Sequence, residues 1–233
     1  MMMTNVLRPY LEWCRRNRGM SYAMLAGLLF LVTSLSQLGE APGLLLFIKL
    51  TLTGVTGLAL VTVSTGARLA VLGVVLALIN LASLWWPASS EFESVRLPVD
   101  LAGSLFFVLV VTSMVRFMVE DGHGVWARLS AAVAGYIVAI WFFAGLYGQV
   151  LSGNPMAWSP NHEAAAAGSS AAAVYFSVVT QTTVGYGDYV PISGGMRAIA
   201  MAQAMFGVLY LAVAIARLVG LPASERSIGR DGD

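Results

Sequence analysis

Six stretches of this chain, near residues 20–38, 43–64, 68–86, 98–118, 129–151 and 195–219, stay apolar for about the 20 residues that a bilayer-crossing helix needs. No other feature narrows the fold as far. In hydrocarbon such a run satisfies its backbone N–H and C=O groups only as a helix or in a closed barrel, and the runs are too long for strands. The expected fold class is therefore an all-α membrane protein with six transmembrane helices. The first run follows Arg8, Arg15, Arg16 and Arg18, as a signal peptide would. Its apolar core is long and "SQLGEAPG" offers no convincing small-residue cleavage site, so it is read as a retained helix.

Composition agrees and removes several function classes. Charged residues make up 11% of the chain and hydrophobic ones 58%, whereas a soluble domain carries about a quarter charged residues. The net charge of +1 supplies no basic face for nucleic acid. Cys14 is the single cysteine, and His123 and His162 stand far apart near loop-forming residues, so neither a disulfide nor a zinc or triad constellation is expected. No nucleophile–base set can be assembled, and no acidic or histidine relay lies within the runs. An enzyme and an ion-coupled transporter are both disfavoured.

Positive charge sets the orientation. With the amino terminus cytoplasmic, Arg8, Arg15, Arg16, Arg18, Arg68, Arg116, Arg128, Arg217, Arg226 and Arg230 fall inside, and only Arg96 and Arg197 fall outside. Both termini are then cytoplasmic and the expected location is a cell membrane, plasma or inner, crossed several times. Lys49 lies within the second run, at an outer depth similar to Asp100, and a structural pair between them is expected. The competing account is a lysine stem snorkelling to the headgroups.

One connection is long. Residues 152–194 carry a small-residue stretch, then "AAAVYFSVVTQT", too short to cross, then "TTVGYGDYV". A reentrant helix and loop is the natural reading, because irregular backbone at membrane depth must be sheltered by protein or line an aqueous route. Gly185 and Gly187 readily take positive φ. Alternating such positions with Val184 and Tyr186 turns successive carbonyls toward one axis, and Thr183 adds a hydroxyl. Several loops around that axis would form oxygen rings able to replace an ion's water shell.

Here the chain resembles a known family. "TTVGYGD" looks like the selectivity-filter signature of bacterial potassium channels with one pore loop per chain, with Thr183, Val184, Gly185, Tyr186 and Gly187 in the filter positions. "YFSVVTQT" is similar to the pore helix and Asp188 matches the acidic residue just outside the filter. "AMAQAMFGVLYLAVAIARLVGL" is similar to the inner helix, so the likeness covers about residues 129–221. It implies K⁺ held at Thr183, Val184, Gly185 and Tyr186, with filter support from Tyr175, Phe176 and Asp188. Tyr175 and Phe176 stand where many relatives have paired tryptophans, and Val179 stands where some carry a glutamate. One loop is one quarter of a ring, so three further copies of the chain are the implied partners, a homotetramer in membrane lipid. K⁺ is the permeant ion and no cofactor is expected.

The resemblance also implies a gating hinge at Gly207; close helix contact is the alternative. Arg217, near the inner mouth, is expected to face headgroups. The fourth run holds only Arg116, near its cytoplasmic end. Each charge moved through the field contributes about 2.3 kcal/mol per 100 mV, and sensors move roughly three or four per subunit, so steep voltage gating is not expected. The resulting organisation is a cytoplasmic segment over 1–19 and a four-helix peripheral domain over 20–118, lacking sensor charges. A linker over 119–128, a pore domain over 129–219 and a short cytoplasmic tail over 220–233 follow. That tail leaves no room for a fused sensing domain. The expected function is passive, K⁺-selective conduction, with a weakly selective cation channel or a non-conducting regulatory membrane subunit as alternatives. Lipid, pH, voltage and ligand are all left open as gating stimuli.

Overall fold

The computed structural model of the chain describes residues 27–28, 31, 67–82, 93–120, 124–154, 156–160 and 170–219. Beyond the helical positions Gly27, Leu28 and Leu31, the order is α1 (Ala67–Ala82), α2 (Glu93–Val119), α3 (Val125–Gly153), β1 (Trp158–Pro160), α4 (Ser170–Gln181), β2 (Tyr189–Pro191) and α5 (Gly194–Val219). The first two expected spans, 20–38 and 43–64, otherwise lie outside the described residues. So do Lys49, the side chain of Asp100, both histidines and the 220–233 tail.

Three of these helices are long and apolar enough to cross a membrane, over Leu101–Val119, Val125–Gly153 and Gly194–Arg217. They match the last three expected spans within a few residues. Helix α1, Ala67–Ala82, overlaps the expected 68–86 run, whose last residues lie outside the described ones. Helix α3 begins at Val125, inside the stretch expected to be a linker. Gly124 precedes it in extended conformation, φ −60° and ψ 151°, and the Ser130 hydroxyl folds back onto the Trp126 carbonyl at 2.7 Å. At the other end the Asn154 N–H donates to the Val150 carbonyl at 2.8 Å; Pro155 follows and has no N–H to continue the ladder.

Helix α3 is the centre of the bundle because its two halves bury different faces. Ala131, Ala134 and Val138, at helical spacing, pack with Phe106, Val110, Met114 and Phe117 of α2 and with Leu76 of α1. Further along, Phe143, Tyr147 and Leu151 pack with Ala172, Ala173 and Phe176 of α4, Trp158 of β1 and Met196 of α5. In lipid no hydrophobic drive separates helix from solvent, so small contact residues and interhelical hydrogen bonds carry the association. Gly135 illustrates the small-residue part. A Cβ there would lie 2.6 Å from the Tyr210 hydroxyl and 3.2 Å from the Met114 Cβ.

The long connection is not wholly helix and loop. β1 pairs antiparallel with β2, Trp158 opposite Pro191, Ser159 opposite Val190 and Pro160 opposite Tyr189. The Ala157 carbonyl extends the clasp by accepting from the Ile192 and Ser193 N–H groups at 2.8 and 3.0 Å. This small sheet ties the segment ahead of α4 to the segment behind the glycine loop.

Candidate functional site

The site is built on the last turn of α4. A helix leaves its final four carbonyls without partners inside the ladder, and here each finds one. The Val178 carbonyl accepts from the Thr182 N–H at 3.0 Å and from the Thr182 hydroxyl at 2.7 Å. The Thr180 carbonyl accepts from the Thr183 N–H at 3.2 Å, and the Val179 carbonyl from the Val184 and Gly185 N–H groups at 3.0 and 3.3 Å. The pair 184→179 and 183→180 is a Schellman closure, in which the residue after the cap takes left-handed angles. That residue is Thr183, at φ 62°. The fourth carbonyl, of Gln181, accepts from the Tyr136 hydroxyl at 2.9 Å.

This closure decides what the loop presents. Thr183, Gly185 and Gly187 have φ of 62°, 55° and 76°, a left-handed residue at every second position. The N–H groups of 183, 184 and 185 are turned into α4. Among the described residues, no backbone N–H donates to the carbonyls of Thr183, Val184, Gly185 or Tyr186. Four successive carbonyls, all on exposed residues, thus remain available to water, an ion or another molecule outside the chain's own ladder. The glycine spacing announced two of the left-handed positions. Thr183 was not anticipated, because a β-branched residue is disfavoured there.

Behind the loop, the expected support residues separate. The Tyr175 hydroxyl donates to Asp188 Oδ2 at 2.6 Å, and Asp188 Oδ1 accepts from the Tyr189 N–H at 3.1 Å. Donation to Asp188, followed by desolvation and that carboxylate's charge, pushes the Tyr175 phenol up to about 12, so its proton stays available to the carboxylate through the neutral range. Phe176 points into the core instead, edge-on to Tyr147 and Trp158 at centroid separations of 5.0 and 5.7 Å. Trp158 in turn lies 4.8 Å from Tyr189, so Phe176 reaches the post-loop strand only through the indole. Val184 and Tyr186 are 51% and 71% exposed, so the described residues of the chain supply little brace for them.

Gly207 lies in the unbroken helix α5 with its α-carbon against the loop's root. An added Cβ would collide with the Gln181 carbonyl oxygen and approach the Gln181 Cγ at 3.1 Å. Close contact, the alternative to a hinge, thus has a named partner. Arg217 does not simply face outward: its Nε and Nη2 donate to the Val119 carbonyl at 3.2 and 2.5 Å, capping the end of α2. Trp158, Gln181, Gln203 and Tyr136 were not singled out from sequence. Their partners lie tens of residues away, so no local pattern marks them.

The sequence model of an ion channel family matches residues 104–222, a span that runs from within α2 past the end of α5 and contains every feature just described. The chain belongs to that ion channel family. With helices able to cross a bilayer, it is a helical membrane protein that transports ions rather than an enzyme. No curated protein and no solved structure matches the chain.

Proposed function

We propose that the chain is a K⁺-selective channel of the bacterial six-span type, conducting passively through a tetrameric filter made of residues 183–187. The observation that carries this reading is the division of the loop's backbone: N–H groups into α4, four carbonyls left over, left-handed residues alternating. Rings of such oxygens replace a hydration shell. K⁺ sits between the carbonyls of Thr183, Val184, Gly185 and Tyr186, with the Thr183 hydroxyl below; Gly187 closes the ribbon. Asp188, fixed by Tyr175, holds the outer mouth.

Assembly from four copies follows from the same geometry, since one loop supplies one side of a ring. Two further features favour it. Val184 and Tyr186 are largely exposed among the described residues, and α5 buries only 22% of its apolar window against 50% for α3. Met201, Met205, Val208 and Leu209 on α5 are exposed and available to neighbouring copies or lipid. The protein lies in the plasma or inner membrane with both termini cytoplasmic, by the charge argument above. Opening proceeds without steep voltage dependence, since α2 carries Arg116 alone in its candidate span.

Purified protein in liposomes under a K⁺ gradient tests the reading. K⁺ flux without Na⁺ flux, blocked by barium and abolished by Gly185→Ala, is expected. Equal K⁺ and Na⁺ flux would favour the weakly selective pore, and silence across varied lipids and pH the regulatory subunit.

A further inference from the structure

Four polar side chains, all fully buried, meet where α3, α4 and α5 cross: Tyr147, Ser177, Gln181 and Gln203. The two N–H groups of the Gln203 amide are shared among three acceptors, the Ser177 carbonyl at 3.0 Å, the Ser177 hydroxyl at 2.7 Å and Gln181 Oε1 at 3.1 Å, so that one bond is bifurcated. Its own Oε1 accepts from the Tyr147 hydroxyl at 2.6 Å, and the Ser177 hydroxyl donates to the Ile140 carbonyl at 2.7 Å. Gln181 continues the chain, its Nε2 donating to the Tyr136 carbonyl at 2.8 Å while the Tyr136 hydroxyl returns to the Gln181 carbonyl at 2.9 Å. A network this complete in a low-dielectric interior admits one arrangement of its members.

Its location gives it a consequence. Ser177 and Gln181 share a face of α4 at i and i+4, and so do Gln203 and Gly207 on α5. Gln203 grips the Gln181 side chain, and Gly207 lies against the Gln181 carbonyl. Gln181 is therefore held at its amide, its side-chain oxygen and its main-chain oxygen. Thr182 and Thr183, the start of the proposed filter, follow directly.

Resting on the channel reading above, we infer that Gln203 is a positioning residue for ion selection. Through Gln181 it sets the height and rotation of the α4 end from which the filter carbonyls hang. Any displacement of α5 near Gly207 must then be felt at the filter's root.

The test compares K⁺ and Na⁺ permeability, from reversal potentials in planar bilayers, for the wild type, Gln203→Leu, Gln203→Glu, Tyr147→Phe and Tyr210→Phe. Tyr210→Phe removes a buried hydroxyl that donates to the Ala132 carbonyl and to no network member, while keeping the ring that packs beside Tyr136, and so measures generic loosening. Na⁺ permeability relative to K⁺ is expected to rise about tenfold in Gln203→Leu and severalfold in Tyr147→Phe. Tyr210→Phe should stay at the wild-type ratio, and Gln203→Glu, which keeps the acceptor from Tyr147, should fall between. Tyr147→Phe loses one hydroxyl and carries the decision if Gln203→Leu does not assemble. A wild-type ratio in both network variants, or an equal shift in Tyr210→Phe, overturns the inference while leaving the channel reading intact. A wild type without K⁺ preference removes that reading, and this inference with it.

Discussion

Thr183 carries a cost that the fold accepts. A β-branched residue with φ near 60° is disfavoured by about 1–2 kcal/mol, and glycine is the residue usually found after a helix cap. Thr183→Gly is therefore expected to raise thermal stability in detergent by about 1 kcal/mol, and yet to lower K⁺ over Na⁺ selectivity, because a hydroxyl oxygen leaves the proposed site. Melting and flux measured together check it; a stability gain with unchanged selectivity would mean that the hydroxyl has no ionic role. At the mouth, Tyr175 and Asp188 should behave as a coupled pair. A double-mutant cycle with Tyr175→Phe and Asp188→Asn is expected to give a coupling of about 0.5–1 kcal/mol, at the low end because solvent screens a half-buried contact. Strictly additive melting shifts would dissolve the pair. The glycine positions of this loop were legible in the sequence because only glycine adopts such angles freely. Thr183 was not, since its conformation is imposed by the cap it closes rather than by its own preference.

At the level of elements, the crossing of α3 and α5 turns on one hydroxyl. Tyr210 donates to the Ala132 carbonyl at 2.8 Å, and that oxygen occupies the space over Gly135. Gly135→Ala is expected to destabilise by about 1–3 kcal/mol through overpacking. In a Tyr210→Phe background the same substitution should cost less than half as much, with only the Met114 contact to relax. Equal losses in both backgrounds, by thermal melting, would show that the crossing adjusts elsewhere. The three long helices were readable from hydropathy alone, because each is apolar on every face. The β1–β2 clasp was not: three-residue strands carry no periodicity, and residues 158 and 191 are separated in sequence by α4 and its loop. The buried glutamines were hidden for a similar reason, each looking like a single polar interruption until helices from three parts of the chain bring their partners together.

For the molecule as a whole, α2 has no column of charges to move. Steady-state open probability of the reconstituted protein is expected to vary with voltage far less steeply than in a channel that moves roughly three or four charges per subunit, since Arg116 alone, near the end of α2, is placed to move and would cross little of the field. An e-fold change in a few millivolts would require charges within the peripheral helices to travel. Native mass measurement in detergent should give four copies of the chain. Beside the packing of α2 on α3, Arg217 of α5 caps the final carbonyl of α2 and so ties the last helix to it.

The main-chain stitching of residues 183–185 into α4 also bears on protein engineering. A heptapeptide cut from this loop and spliced into a foreign scaffold would arrive without the carbonyls that shape it. The smallest portable cassette runs from β1 through β2, residues 158–191, and its recipient would have to offer a tyrosine in the place of Tyr136, a glutamine in the place of Gln203 and a glycine in the place of Gly207.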